Sequence, residues 1–371
     1  MMKKIYTQPR TETVATTPQQ MLCASGIKAQ ISGYKKSNGG FFLWLAGIVC
    51  SSLLFLGTAC STTNNPDQPK QQSELKPRTL VVTQQAVSQV TPASDVRRLP
   101  QATITDAGET LDAIWSVNDE ISFRNISHKD YTPTVPTDEA RLDGVLLADR
   151  AASIASFASN DKVWCDVNDK ILLVYPKATD PAITVSGSGS SLTASYSISL
   201  TRQDGTLDTI ASTYHHSYGI ATITEVTPTV ANAVVAEMQN LLTVCKFSFV
   251  DKNQPETPLT ITSLSISYGD GTYANTYPEK ATVVVSHETN YTATVTPIQK
   301  VTSAGGNFLS ISPSGNPEVV YVALFPEAAA TEYSFSLESG SETYTGTAKA
   351  QLNAGEFVVA TNLKLTKKVN P

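Results

Sequence analysis

Two adjacent histidines are the side chains whose type most readily suggests chemistry. His215 and His216 lie in the segment Thr213–Gly219, which reads TYHHSYG. Imidazole is a common metal ligand, but neighbouring residues of a strand point to opposite faces of the sheet. The other two histidines, His128 and His287, are far away in the sequence. The sequence therefore predicts no metal site.

Carboxylates and serines give no better case for catalysis. Asp119 and Asp169 each follow an asparagine in a tryptophan-containing motif, and an Asn-Asp pair is typical of a tight turn. The chain contains no G-x-S-x-G motif of the serine hydrolases. The loop Gly269–Tyr273 (GDGTY) lacks the series of acidic ligands found in calcium-binding loops. We therefore predict that the protein is not an enzyme and needs no cofactor.

Cys60 is the residue for which the sequence predicts a covalent modification. It ends the apolar run Phe41–Cys60, which follows two lysines and precedes a stretch rich in Ser, Thr and Asn. A basic flank, an apolar core and small residues before a cysteine are typical of a secretory signal. Gly57–Cys60 resembles the lipobox of bacterial lipoproteins, which implies a lipid on Cys60 and removal of the preceding peptide. A transmembrane helix is the alternative, since roughly 17–25 apolar residues can span a bilayer.

Charge and cysteine content narrow the class of protein. The net charge is −6, with acidic and basic residues interspersed. Nucleic-acid binding needs a cationic face, so we expect no nucleic-acid partner. Beyond Cys60, only Cys165 and Cys245 remain, and each lies in an apolar strand pattern. We predict that both are buried and unpaired, with a disulfide between them as the alternative.

The chain after the apolar run alternates strand patterns with turn signals. Leu192–Leu200 and Tyr333–Leu337 alternate apolar and polar residues, which is typical of a strand with one buried face. Arg78–Val82 (RTLVV) is a further short strand pattern. Dipeptides such as Asp204-Gly205 mark the turns. Strands at this spacing, without helices between them, predict an all-β fold built of β-sandwiches.

The composition also suggests where domains begin and end. Val230–Leu242 (VANAVVAEMQNLL) is the one candidate helix, although it equally fits the approach to a strand at Val244–Val250. We place a domain boundary just before this segment. The predicted parts are a leader and lipoprotein signal, a flexible tether, and two tandem β-sandwich domains, over residues 1–59, 60–77, 78–225 and 226–371 respectively.

A repeated motif carries a resemblance to a known family. Trp115–Ile121 and Trp164–Ile171 each predict a strand, an Asn-Asp turn and a return strand. They resemble the W-x-x-G-D-x-I signature of the fimbrillin-like lipoproteins of Bacteroides-type bacteria, with Asn118 and Asn168 where glycine is usual. Further segments resemble other parts of these proteins in the same order, namely Leu173–Pro176, Gln203–Leu207, Leu241–Val250, Val320–Pro326, Leu352–Gly355 and Asn362–Leu365.

The resemblance implies a pilin or pilin-like surface protein with two Greek-key, transthyretin-like β-sandwiches. In that family a lipidated precursor reaches the outer membrane, and an Arg-specific protease removes its first strand. A strand of a neighbouring subunit then fills the groove. Arg97 and Arg98 are the candidate processing site, unless this pair is merely a solvated surface feature. The alternative sites are Arg78, Arg124, Arg141 and Arg150.

We therefore predict a fimbrial subunit, or an accessory tip or anchor component, that assembles with other fimbrial subunits by β-strand exchange and acts in adhesion. The short tail after Leu365 favours a tip, an anchor or a non-polymerising relative over a stalk subunit, unless the final strand itself is exchanged. We expect the protein at the outer membrane and cell surface, anchored by lipid on Cys60, or in the fimbrium after processing. The alternative is a stand-alone surface lipoprotein that binds glycan or another ligand through its loops. Five tyrosines near loops are candidates to stack on sugars, with about half of them expected at the edge of the core, and they are Tyr214, Tyr218, Tyr268, Tyr273 and Tyr277.

Overall fold

The computed structural model describes residues 75–84, 103–108, 111–131, 140–152, 154–177, 183–271, 273–298 and 308–369. These residues all belong to one compact unit. Almost every regular element among them is a β-strand, so the all-β prediction is confirmed. The predicted signal and nearly all of the predicted tether lie outside the described residues. In the described ranges, no helix combines the length and the apolar character needed to cross a bilayer.

The strands before residue 241 are short, and helical structure between them is confined to single turns. The strands are β1 (Lys76–Gln84), β2 (Thr103–Asp106), β3 (Leu111–Ile114), β4 (Glu120–Asn125), β5 (Ala140–Arg141), β6 (Asp143–Ala148), β7 (Ser156–Cys165), β8 (Lys170–Tyr175), β9 (Thr184–Ser186), β10 (Thr193–Ser199), β11 (Ser217–Val226), β12 (Val230–Val235) and β13 (Gln239–Asn240). The helical turns are a 3₁₀ turn (Gly189–Ser191), α1 (Leu207–Thr209) and a π turn (Ile210–Tyr214).

Seven of these strands close into a barrel. The hydrogen-bonded order is β1-β12-β11-β8-β4-β6-β7, and β7 pairs back with β1. The prediction of a sandwich in the first half is therefore wrong, because the first strand is paired on both sides. Alternation of apolar and polar residues has the same period in a sandwich and in a barrel. The sequence pattern alone does not distinguish the two.

The barrel encloses its own apolar core. Trp115 is completely buried, and its ring makes edge-to-face contacts with Phe157 at 4.8 Å and Tyr175 at 5.2 Å between centroids. Ala231 and Ala233 of β12 belong to the same cluster. Small side chains beside large ones are the usual way to fill a narrow barrel. The interior of this barrel is therefore occupied by side chains.

The two tryptophan-containing motifs form matching turns. Asn118 has φ 66° and Asn168 has φ 70°, in the left-handed region that asparagine tolerates. The carboxylate of Asp119 accepts a hydrogen bond from the backbone N–H three residues earlier at 2.7 Å, and that of Asp169 does the same at 2.8 Å. The predicted turns are therefore confirmed. A strand follows each turn as predicted, namely β4 and β8. These two strands pair with each other, whereas β3 pairs with β2 and β7 pairs with β1, β5 and β6.

The later strands form two further sheets around a second core. The strands are β14 (Thr243–Asp251), β15 (Gln254–Pro258), β16 (Ser263–Tyr268), β17 (Lys280–Ser286), β18 (Thr292–Ile298), β19 (Leu309–Ile311), β20 (Val319–Leu324), β21 (Thr331–Ser339), β22 (Glu342–Ala350) and β23 (Phe357–Lys367). One sheet has the order β15-β14-β23-β22-β21-β16-β19 with β20 also on β14, and the other has the order β18-β17-β10-β9. A single apolar cluster contains residues of both sheets, including Phe247, Phe335, Tyr196 and Val283.

The candidate helix Val230–Leu242 is a strand segment, so the helical alternative is wrong. Its first half is β12, in which Ala231, Ala233 and Val235 are buried at every second position. Valine side chains favour strands, and β12 gains partners in both β1 and β11. Strands from the two sides of residue 225 therefore lie in the same sheet. The same is true of a second sheet, in which β10 pairs with β17. The division into domains 78–225 and 226–371 stays a prediction.

The cysteines of the described residues are free and buried, as predicted. Cys165 lies at the end of β7 in the barrel core, whereas Cys245 lies on β14 in the second core. Burial raises the pKa of the Cys165 thiol to about 11. Each thiol therefore behaves as a small apolar side chain within its own core.

Candidate functional site

β1 is the strand that closes the barrel, and two different ladders hold it. It runs parallel to β12, from the pair Thr79↔Val230 to the pair Gln84↔Val235. It runs antiparallel to β7, from Lys76↔Cys165 to Thr83↔Ser156. Removal of β1 would therefore leave main-chain N–H and C=O groups without partners on both β7 and β12.

Alternate side chains of β1 face the barrel interior. Leu80 and Val82 are completely buried, and Arg78 and Gln84 are buried at either end of the row. Thr83, which lies between two of these residues, is exposed. Complete burial of a leucine or valine side chain stabilises a fold by about 1.5–3 kcal/mol. The strand therefore contributes both main-chain hydrogen bonds and apolar contacts to the barrel.

The ladder between β1 and β7 is irregular near its middle. The register shifts between Thr79 and Val81. The N–H of Leu80 donates to Oγ of Ser159 at 2.9 Å, and this hydroxyl donates to the carbonyl of Asp161 at 2.8 Å. A side chain thus replaces a main-chain partner at one position, as occurs at β-bulges. The seam with β7 is accordingly less regular than the seam with β12.

The two ends of the inward-facing row are polar. The guanidinium of Arg78 donates from Nε to the carbonyl of Thr227 at 2.8 Å and from Nη1 to the carbonyl of Cys165. Oε1 of Gln84 accepts from Nε1 of Trp115 at 3.4 Å. The RTLVV strand could be predicted from the sequence, but these two roles were not. The signal was present, since Arg78 and Gln84 continue the two-residue period of Leu80 and Val82.

The hairpin β2–β3 is held against β14 and β20 by an ion pair and a hydrogen bond. Asp106 at the end of β2 forms an ion pair with Lys246 of β14 and accepts a hydrogen bond from the hydroxyl of Tyr321 at 2.6 Å. Burial alone would raise the pKa of Asp106, but the hydrogen bonds from Lys246 and Tyr321 outweigh it and hold the pKa below its usual value. Ile104 and Leu111 of the hairpin lie in the second core. The chain that follows the candidate processing site is thus held by contacts with β14 and β20.

Asp106→Asn is expected to lower the free energy of unfolding by about 1.5–3 kcal/mol, because hydrogen bonds to a charged group would be lost. Lys246 would remain in a site where its side chain is only 20% exposed. Asp143→Asn is a matched control, since it removes an ion pair with Arg124 whose carboxylate is 45% exposed. We expect a change below about 1 kcal/mol there. Urea denaturation of both variants would measure the difference, and equal effects would contradict a fastening role for Asp106.

The three predicted site residues fall outside the described part of the chain. These are Cys60, the predicted lipidation site, and Arg97 and Arg98, the candidate processing site. Arg97 and Arg98 belong to the segment between β1 and β2. Their roles stay predictions.

The alternative arginines differ in exposure. Arg78 is buried inside β1, where its main-chain bonds are part of a sheet. Arg124 forms an ion pair with Asp143 at 2.7 Å. Arg141 and Arg150 are exposed. Proteolysis favours exposed, irregular backbone, so Arg78 is a poor alternative to the candidate processing site.

The histidine pair lies immediately before β11. The side chain of His215 is buried and that of His216 is partly exposed. Within the described ranges, no group of three or more His, Cys, Asp or Glu side chains is arranged to hold a metal ion. The pair therefore gives no support for a metal centre.

The predicted set of loop tyrosines is mostly internal. Tyr214, Tyr218, Tyr268 and Tyr277 are buried, and Tyr273 is 50% exposed. The buried rings keep their hydroxyls bonded, as with Tyr218 and Oε1 of Gln239 at 2.8 Å. Aromatic rings with a bonded hydroxyl are well suited to a core edge. The prediction that these five tyrosines form an exposed surface for binding sugars is therefore wrong.

Comparisons with known proteins give low similarities. Neither a protein-family model nor a curated protein matches the chain. A candidate cell adhesion protein of Bacteroides ovatus is 12% identical with a TM-score of 0.43, over 80% of this chain and 96% of that one. Another, of Bacteroides uniformis, is 14% identical with a TM-score of 0.43, over 82% and 99%.

A mutant of the shaft pilin spaA of Lactobacillus rhamnosus GG is also similar, at 12% identity and a TM-score of 0.29, over 80% of this chain and 100% of that one. TM-scores below 0.5 do not establish a common fold. We therefore infer the function from the residues of this chain.

Proposed function

We propose that this protein is a fimbrial subunit, or a tip or anchor component of a fimbria, that acts in adhesion and joins its neighbours by exchange of β1. The observation that carries the proposal is the position of β1, which is paired on both sides and fills the barrel with alternate side chains. Such a strand is replaceable in principle by any strand that offers the same main-chain bonds and the same side-chain pattern.

The segment between β1 and β2 supplies a means of releasing the strand. Cleavage after Arg98 would separate β1 from the rest of the chain, which begins again with the fastened β2–β3 hairpin. Loss of β1 would then open a slot lined by β7 and β12. Unpaired strand edges readily accept another chain, so a strand of a neighbouring subunit would fill the slot.

The proposal places no catalytic group and no cofactor in the protein. It places the precursor at the outer membrane and cell surface, held by lipid on Cys60, and the processed form in a fimbrium. A ligand on a host or bacterial surface would complete the adhesive role. Four of the five tyrosines expected to stack on sugars are buried. We therefore propose no second function.

Assembly predicts a ladder of heat-resistant oligomers on a denaturing gel after treatment with an Arg-specific protease, because strand-exchanged contacts are kinetically stable. The double variant Arg97→Ala/Arg98→Ala should give no ladder under the same treatment. An N-terminus at Leu99 in the ladder would identify the cut. Monomers that persist after complete cleavage, and that a glycan array retains, would refute strand exchange in favour of ligand binding.

Cys60→Ala is expected to move the protein from the membrane fraction to the soluble fraction of the producing cell. The reason is that a lipid chain contributes about 0.8 kcal/mol of membrane affinity per buried methylene. Metabolic labelling with a fatty acid would measure the modification directly. Cys50→Ala, within the predicted signal, is the matched control and should keep the label. Equal labelling of native protein and Cys60→Ala would contradict the predicted anchor.

A further inference from the structure

The four inward-facing residues of β1 do not form a uniformly apolar row. Leu80 and Val82 occupy the middle, and Arg78 and Gln84 occupy the ends. An apolar core alone would be satisfied by four apolar side chains. Burial of a polar group is unfavourable unless it is hydrogen-bonded, so the two ends call for a separate explanation.

We infer that the slot of β1 selects the strand that fills it through these two ends. The incoming strand carries an arginine-like cation at the position of Arg78, apolar side chains at the next two inward positions, and a hydrogen-bond acceptor at the position of Gln84. The inference rests on the proposed strand exchange and defines the chemistry of the strand that a neighbouring subunit must supply.

The acceptors for the cation belong to the slot and not to β1. They are the carbonyls of Cys165, at the end of β7, and Thr227, in the turn between β11 and β12. The N–H of Thr227 donates to the carbonyl of Val230 at 2.8 Å, and the N–H of Val230 donates to Oγ1 of Thr227 at 2.9 Å. These bonds do not involve β1, so the carbonyl of Thr227 would keep its place when the strand leaves.

The geometry favours a guanidinium over an apolar side chain or an ammonium. A guanidinium presents several N–H donors in one plane and can bond two acceptors at once. An apolar side chain in its place would bury both carbonyls without donors, which is costly. A lysine ammonium would supply the charge but not the planar pair of donors.

The other end of the slot presents a donor. Nε1 of Trp115 donates to Oε1 of Gln84, and an indole N–H has no capacity to accept. The ring of Trp115 is fixed by Phe157 and Tyr175. Nε2 of Gln84 is buried and has no partner among the described residues. The slot therefore requires only an acceptor at this end.

The two polar ends also fix the register of the incoming strand. A slip by one residue would turn every inward side chain outward. A slip by two would retain the correct face, but it would place either an apolar side chain against the carbonyls of Cys165 and Thr227 or the cation in the apolar middle of the slot. A strand with uniformly apolar inward positions would not distinguish these registers, whereas a strand with a cation and an acceptor at the ends would.

The reactivity of the Cys165 thiol towards an alkylating reagent would report whether β1 has left the barrel. This thiol is buried beside the strand, and its pKa of about 11 arises chiefly from burial, with Arg78 opposing the shift. Departure of β1 would admit water and reagent, and thiolate formation governs the reaction with an alkylating reagent. Cys245 lies in the second core and serves as the internal control.

The test uses the full chain with a sequence-specific protease site inserted between residues 88 and 97. After cleavage, a fluorescent peptide of residues 75–85 is added, and its entry into the slot is followed by fluorescence anisotropy. Alkylation of Cys165, with Cys245 as the control, is read by mass spectrometry and reports whether the slot is open. Unlabelled peptides then compete with the fluorescent peptide for the slot.

We expect Arg78→Leu and Gln84→Leu peptides to compete at least about tenfold more weakly than the native peptide. The Arg78→Lys peptide should lie between, and the Thr83→Leu peptide should match the native one.

The outcomes separate the selection rule from strand exchange itself. If the Arg78→Leu peptide competes as well as the native peptide, the selection rule is overturned and strand exchange stands. If the native peptide does not enter the cleaved protein and Cys165 stays unreactive, both are overturned. Should the cleaved protein unfold, the intact chain gives the answer. There, Arg78→Leu should raise the equilibrium constant for unfolding at least about tenfold relative to Thr83→Leu, and equal stability would refute the rule.

Discussion

Val82→Asp is expected to lower the free energy of unfolding by about 4 kcal/mol or more. Val82 is completely buried on β1, with Ala233 of β12 and Phe157 of β7 as its neighbours in the ladders. A carboxylate at this position would lie among apolar side chains and would have to remain charged without a partner or take up a proton. Domains of this size are stable by only about 5–15 kcal/mol, so the variant would lose a large part of its stability.

Thr83→Asp is the matched control, since it introduces the same charge one residue later on an exposed side chain. We expect a change within about 0.5 kcal/mol, as for most surface substitutions. Urea denaturation followed by circular dichroism would compare the two, and alkylation of Cys165 would report opening of the barrel. If Val82→Asp were as stable as Thr83→Asp, β1 would not face the barrel interior, and the strand-exchange proposal would lose its basis.

The strands could be predicted from sequence because their side chains alternate. In β10 and β21 the period of two places each residue on the face that the structure gives it. The closed barrel could not be predicted in this way. Closure depends on β12 reaching β1 across roughly 150 residues of chain, and hydrophobic alternation carries no information on which strands pair. For the same reason, the sequence does not show that β8 pairs with β4 and β11 and not with β7.

The candidate site could be predicted only in outline. RTLVV was recognised as a first strand, and Arg97 and Arg98 as the residues that follow it. The roles of Arg78 and Gln84 depend on carbonyls and an indole contributed by distant parts of the chain. A charged residue at the start of a short strand is ordinarily exposed. Arg78 departs from that rule because the end of the barrel supplies two fixed acceptors.

Acid is expected to destabilise the protein through the histidine pair. Burial, together with the charge of His216, lowers the pKa of His215 to about 4, and burial of its ring lowers the pKa of His216 to about 4. Nδ1 of His215 and Nε2 of His216 have no hydrogen-bond partner among the described residues. In the unfolded chain a histidine has a pKa of about 6.5. The unfolded state therefore binds protons at a higher pH than the folded state does.

The sign of the effect follows from this difference. Stability from the neutral pair is fully present above about pH 6.5 and is lost as the pH falls towards 4. For His215, a pKa of about 4 against 6.5 corresponds to about 3 kcal/mol lost by pH 4. In the folded protein, the partly buried carboxylates Asp106 and Asp204, whose pKa values are lowered from 3.8, take up protons only at still lower pH. Measurements between pH 7 and 4.5 would therefore isolate the histidines.

The double variant His215→Gln/His216→Gln provides the comparison, because glutamine does not titrate. Its free energy of unfolding should change less between pH 7 and 4.5 than that of the native protein, even if it is less stable at pH 7. His287→Gln removes an exposed histidine and should leave the native slope unchanged. Equal slopes for the native protein and the double variant would show that the pair is solvated in the folded state, and the packing between the π turn and β11 would then need revision.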